Sequence, residues 1–262
     1  MRVALIGFGA INRTVAQHLS NGPFEIVAVA VRNHMTERPG LPSTAKLIVH
    51  PAELAATRPD VVAEAAGRES VAPWGHAALE CGADFIVSSM SAFTDISVLD
   101  DLQATAERTG TQVHIQPGAL GGIDALSSAR RMGIDHVSHR MVKPPTAWLE
   151  TPAEELCDLS SISEPTEFFS SSAAETARMF PKNANVAMTI ALAGIGPART
   201  EVTLVADPEA TTNRHEIIAT GPFGSLGFVL SNQPLPDNPK SSALAALNLV
   251  RAIQNGSSPI VI

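Results

Sequence analysis

The first fourteen residues constrain this chain more than any other stretch. Val3-Ala4-Leu5-Ile6 is a short apolar run suited to a fully buried parallel strand. Gly7-Phe8-Gly9-Ala10-Ile11-Asn12 follows without a break, and Arg13 to Leu19 then has the character of a helix. Strand, glycine turn and helix in that order form the setting in which a G-x-G loop binds a dinucleotide. Gly7 permits the tight turn, and Gly9, with no Cβ, lets the backbone approach a pyrophosphate. Ala10 and Ile11 stand where the helix begins, and its unpaired N–H groups and positive dipole end favour that anion. The third glycine of the fingerprint is replaced by Asn12, where close helix–strand packing ordinarily asks for Gly or Ala. An ordinary strand–turn–helix with two turn glycines is the competing explanation.

The segments that follow keep alternating. Phe24 to Val31 is a second apolar strand ending at Arg32-Asn33, and Lys46 to Val49 is a short strand. Ala52 to Ala56 has the pattern of a short helix. Asp60 to Gly67, Phe85 to Ser89 and Gln112 to Ile115 are further strands, separated by helices at Val71 to Cys81 and Ile96 to Thr109. Strands alternating with helices over residues 1–116 imply a doubly wound, mostly parallel Rossmann-type sheet whose ligand sits at the carboxyl ends of the strands. Gly7, Arg32, Ala65 and Ser88 all fall at such ends. An NAD-preferring unit usually carries an acid at the tip of the second strand for the ribose 2′-OH. Here that tip is Arg32, which can pair with a 2′-phosphate or stack on adenine, so the expected cofactor is NAD or NADP. A solvated strand-end arginine is the plainer alternative. The small residues around Ala65 would let a flat nicotinamide ring lie against the backbone, or serve tight strand–helix packing.

At Gln116 the pattern changes. Pro117 to Leu126 is a glycine-punctuated turn feeding a helix to Arg131, and His136 to Val142 alternates like a strand that Lys143-Pro144-Pro145 stops. Glu164 to Phe169 is another strand, and a helix runs from Ala173 to Met179. Asn183 is a good N-cap for a small-residue helix from Ala184 to Ala193. Lys182 and the amides of that helix start would make an anion site, and the Asn185 carboxamide in the first turn could bond a nicotinamide amide or a carboxylate. Simple capping beside a solvated lysine is equally open. Glu201 to Val205, His215 to Thr220 and Leu226 to Leu230 suggest an antiparallel meander, hence a second, α+β domain on a mainly antiparallel sheet. His215 opens the middle strand; a histidine titrates near pH 6.5 and suits proton exchange at neutral pH, although any one of eight histidines is first a structural or surface group. Ser242 to Gln254 reads as a last helix that returns to the first sheet. The expected division is 1–116 plus 240–262 for the dinucleotide and 117–239 for substrate, catalysis and dimerisation.

Bulk properties narrow the partners. The net charge of −8 disfavours nucleic acid and anionic membrane, and it makes each cation near a glycine loop or a histidine informative. No apolar run approaches the ~20 residues of a membrane span, and a core strand stands where a leader peptide would be. Cys81 and Cys157 have no metal or redox spacing, consistent with buried thiols in a reducing cytoplasm; no metal site is expected. Tyrosine is absent, which excludes a tyrosine general acid.

Taken together, the blocks resemble the short, Rossmann-containing L-aspartate dehydrogenases. The resemblance rests on Gly7-Phe8-Gly9-Ala10-Ile11, Gly118 to Leu126, Lys143-Pro144-Pro145-x-x-Trp148 and Phe180 to Val186. It continues through Ala206-Asp207-Pro208, Asn213-x-His215-x-Ile217, Gly221-x-Phe223-Gly224 and Asn238-Pro239-Lys240-Ser241-Ser242. It implies NAD(P)-dependent oxidative deamination of L-aspartate to iminoaspartate, or to oxaloacetate and ammonia, by a cytoplasmic homodimer, with a link to nicotinamide cofactor biosynthesis. By the same resemblance Ala119 and Asn185 are cofactor contacts and His215 is the catalytic histidine. Lys182 with Asn183, and more weakly Lys240, are the candidates for the substrate carboxylates. Another two-domain dicarboxylate reductase and a non-catalytic NAD(P) sensor are the rival functions.

Overall fold

The structure is a computed structural model that describes residues 1–236 and 238–261, the side chains of Lys182, Pro239 and Lys240 excepted. Residues 1–118 form β1 (Arg2–Ile6), α1 (Ala10–Leu19), β2 (Glu25–Ala30), β3 (Lys46–Ile48), β4 (Val61–Glu64), α2 (Arg68–Glu80), β5 (Asp84–Val87), α3 (Ile96–Thr109) and β6 (Val113–Ile115). There follow α4 (Ile123–Ala129), β7 (His136–Lys143), α5 (Ala153–Leu156), β8 (Thr166–Ser172), α6 (Ala173–Met179), α7 (Ala184–Ala193), β9 (Glu201–Ala206), β10 (Asn213–Gly221) and β11 (Gly224–Asn232). The chain closes with β12 (Pro234–Leu235), β13 (Asn238–Ser242) and α8 (Ala243–Asn255). Two compact units result, Met1–Gly118 with Pro234–Ile262, and Ala119–Gln233.

In the first unit six parallel strands run in the order β3-β2-β1-β4-β5-β6, the doubly wound dinucleotide-binding order. Alternate residues face opposite sides, which dictates the layers. Val3, Leu5, Val61, Ala63 and Ile86 meet Val15 and Leu19 of α1 and Leu249, Val250 and Ile253 of α8. The intervening Phe85 points the other way and packs against Gly75 of α2, whose lack of a side chain leaves room for Phe85 and for Leu102 of α3. Both faces are thereby covered, as a parallel sheet requires. The expected helix at Ala52 to Ala56 is instead two 3-10 turns, Pro51–Glu53 and Ala55–Thr57, the first begun by Pro51 and closed by Glu53 bonding back to the His50 amide.

The second unit holds a five-stranded sheet in the order β11-β10-β7-β9-β8. The expected meander is corrected here: β10 and β11 form a hairpin, but β7 lies between β9 and β10 and runs parallel to β9. The other three pairings are antiparallel. Met141, Val202, Leu204 and Ala206 share the face that Trp148, Phe180, Ala187 and Ala191 cover. Helix α7 also sends Ile190 into the cluster of Leu126, Val137 and Ile217. Its alanines therefore serve to bring the helix close to the sheet. No described helix is long and apolar enough to cross a membrane.

Candidate active site

A cleft of about 740 Å³ opens in the first unit beyond the carboxyl ends of β1, β2 and β4. Gly7, Gly9, Arg32 and Ala65 line it, with Arg38 and Trp74. Gly7 turns the chain out of β1 with φ of +84°, and a Cβ there would stand 2.8 Å from that of Ala66, so only glycine fits. Gly9 caps α1, and a Cβ on it would meet nothing within 4 Å. Asn12 explains its departure from the fingerprint: it is fully buried, and its Nδ2 donates to the carbonyls of Ile6 and Gly7, each at 2.9 Å. The carboxamide thus clamps the turn that a third glycine would only have permitted. Ala10 and Ile11 form the first turn of α1, where Ile11 packs on the core rather than lining the cleft.

Sequence reasoning passed over Glu64. It ends β4 fully buried, and its carboxylate accepts five hydrogen bonds. They come from the Ala66 and Gly67 amides at 2.7 and 3.0 Å, the Ser70 hydroxyl at 2.9 Å, and the Ser89 amide and hydroxyl at 3.0 and 2.8 Å. Glu64 therefore ties the loop after β4 to the loop after β5. A lone carboxylate at the end of an apolar strand was the available signal, and Ser89 is its partner across the two loops. Beside it the Ser88 hydroxyl is buried with no hydrogen-bond partner among the described residues. The open space over Gly9, the start of α1 and the two arginines Arg32 and Arg38 in the cleft fit a dinucleotide, whereas Ser88 is not among the residues that line it.

Ala119, Asn183, Asn185 and His215 belong to the second unit. The Ala119 carbonyl accepts from Asn232 Nδ2 at 3.0 Å. His215 is buried in β10, opposite Met141 of β7, and its Nδ1 lies 3.1 Å from Nε2 of the equally buried His139. That bond leaves Nε2 of His215 as the ring atom for proton exchange. On β7, His139, Met141 and Lys143 alternate onto the same face, so Lys143 and His215 are diagonal neighbours, with Cβ atoms roughly 7 Å apart in such pairs. Burial, and then the Lys143 charge, lowers His215 to about 4. His139 is pushed well down by burial, then by His215 and Lys143. Lys143 is itself lowered to about 8 by desolvation. Its ammonium donates to Oδ1 of Asn183 and lies 4.7 Å from the centre of the Trp148 ring.

Asn183 stands at the N-cap of α7 but makes no side-chain capping bond, because Lys143 takes its oxygen. The amides of Asn183 and Ala184 bond Phe180 and Pro181 in a preceding 3-10 turn, so the expected anion site loses those donors. Asn185 is exposed at the start of α7. The side chains of Lys182 and Lys240 lie outside the described residues. His139 was legible only as a member of a strand, and Lys143 only as its stop and the first residue of a family block with no role attached; their place beside His215 needs the register of β7 against β10.

Comparison with known proteins is consistent with both halves. Residues 7–116 match the family model described as homoserine dehydrogenase, NAD binding domain, and residues 124–256 match aspartate dehydrogenase, C-terminal. The chain is 52% identical to an L-aspartate dehydrogenase of Brucella anthropi, over 99% of this chain and 98% of that one. It is 39% identical to one of Pseudomonas aeruginosa over the whole of both. The crystal structure of aspartate dehydrogenase from Thermotoga maritima superposes with a TM-score of 0.79 at 26% identity, covering 100% of this chain and 99% of that one. The chain belongs to the L-aspartate dehydrogenase family.

Proposed function

We propose that this chain catalyses NAD(P)-dependent oxidative deamination of L-aspartate, with His215 as the group that moves protons. The observation that carries the reading is the buried His139–His215 pair sharing a sheet face with Lys143. Aspartate arrives as an ammonium, and its nitrogen must release a proton before its lone pair can form the imine. His215 is neutral at pH 7 and has Nε2 free for that proton, taken directly or through water. In the empty protein it is a weak base, because burial and the Lys143 charge oppose protonation. Two substrate carboxylates nearby would raise its basicity when substrate is present. The bound nicotinamide supplies the acceptor for the hydride that leaves Cα. His215 passes that first proton to solvent, takes a proton from the water that adds to the iminium carbon, and returns it to the nitrogen, so that the C–N bond breaks and oxaloacetate and ammonia leave. Iminoaspartate released before hydrolysis would serve nicotinamide cofactor biosynthesis.

Arg32 and Arg38 favour a 2′-phosphate, since among the described residues that line the cleft Glu69, exposed and beside Arg68, is the one acid. We therefore read NADP as accepted at least as well as NAD. The homodimer and the cytoplasmic location belong to the same reading. The His215 role is tested by His215→Asn. Turnover of aspartate should fall by about 10²- to 10⁴-fold while NAD(P)H binding, followed by fluorescence, stays unchanged; full turnover would remove His215 from the mechanism.

A further inference from the structure

We propose that Lys143 is the seat of one substrate carboxylate, a role that rests on the dicarboxylate substrate argued above. Lys143 is the cation of β7 that shares a face with both buried histidines. Arg140 and Arg214 lie on the opposite face and are paired with Glu167, Glu216 and Asp207. Lys143 forms no ion pair among the described residues; its neighbours are the neutral Asn183 oxygen and the Trp148 ring. A desolvated ammonium held by neutral groups is costly, and its depressed pKa of about 8 expresses that cost. Lys143 is part-buried, and a structural lysine withdrawn from water in this way ordinarily has a carboxylate beside it. Here the fold supplies an amide oxygen and an aromatic face, which orient the ammonium and leave its charge uncompensated. A carboxylate from the substrate completes the pair. Burial is the main cause of the lowered His215, and the Lys143 charge adds to it; pairing Lys143 removes that second contribution, so arrival of substrate makes His215 a better base.

Succinate serves as the probe, because it carries both carboxylates and cannot react. In the full-length protein with NAD(P)H present, Lys143→Met should weaken succinate binding, measured by calorimetry, by about 10- to 100-fold, the effect of removing one charge-assisted hydrogen bond. NAD(P)H affinity should change less than twofold, and Lys143→Arg should recover part of the loss. Unchanged succinate affinity in Lys143→Met would overturn the proposal. A second measurement does not depend on any variant folding: succinate should protect Lys143 of the unaltered protein from reductive methylation, read by peptide mass, and propionate should protect it less. Equal methylation with and without succinate would overturn it too. If succinate binds through Lys143 while aspartate is not turned over, the carboxylate seat stands and the aspartate reading fails.

Discussion

His215 is held as a neutral ring, and this has a consequence for stability. Its folded value of about 4 lies below the unfolded value near 6.5. As pH falls, the unfolded chain takes up a proton first, so stability is full above about pH 6.5 and declines toward pH 4. The interval corresponds to roughly 3 kcal/mol for this one group. Urea unfolding at pH 7 and at pH 4.5 should show a fall in the unaltered protein larger than in His215→Asn by about that amount. Parallel declines in the two proteins would mean that the ring is not buried as described. His139 works through His215, since its Nε2 engages Nδ1 and fixes the plane of the ring.

At the scale of elements, the loops that leave β4 and β5 are organised by one carboxylate. Glu64→Gln keeps the shape but turns one acceptor oxygen into a donor, set against amides and hydroxyls that themselves donate. The expected cost is about 1–3 kcal/mol of stability together with a raised NAD(P)H dissociation constant, checked by chemical unfolding and by fluorescence titration. A variant that binds the cofactor and unfolds like the parent would show the five bonds to be incidental. This scale also shows what a sequence can and cannot reveal. Val3 to Gly9 announced strand, turn and helix because apolar run and glycine spacing are local signals, and Ile96–Thr109 was legible to the residue. The insertion of β7 between β9 and β10 was not, because alternation tells which face a side chain takes and says nothing about which strand lies alongside. His215 could be named from its block, whereas His139 and Lys143 became candidates only through the β7–β10 register.

For the whole molecule, a parallel sheet carries the cleft proposed for the nucleotide, and a separate mixed sheet carries the buried histidine pair proposed to move protons, with Lys143 on the same face. The proposed homodimer is tested by light scattering: a mass of twice the 27.4 kDa chain is expected, and a mass of one chain would contradict it. The central claim is tested most directly by absorbance at 340 nm, with purified protein and L-aspartate supplied with NAD or NADP in parallel. Growth of the reduced-nicotinamide band is expected with both, and at least as fast with NADP if Arg32 and Arg38, which line the cleft, meet a 2′-phosphate as proposed. No growth with either cofactor, in a preparation that demonstrably binds NAD(P)H, would contradict the assignment of aspartate as substrate.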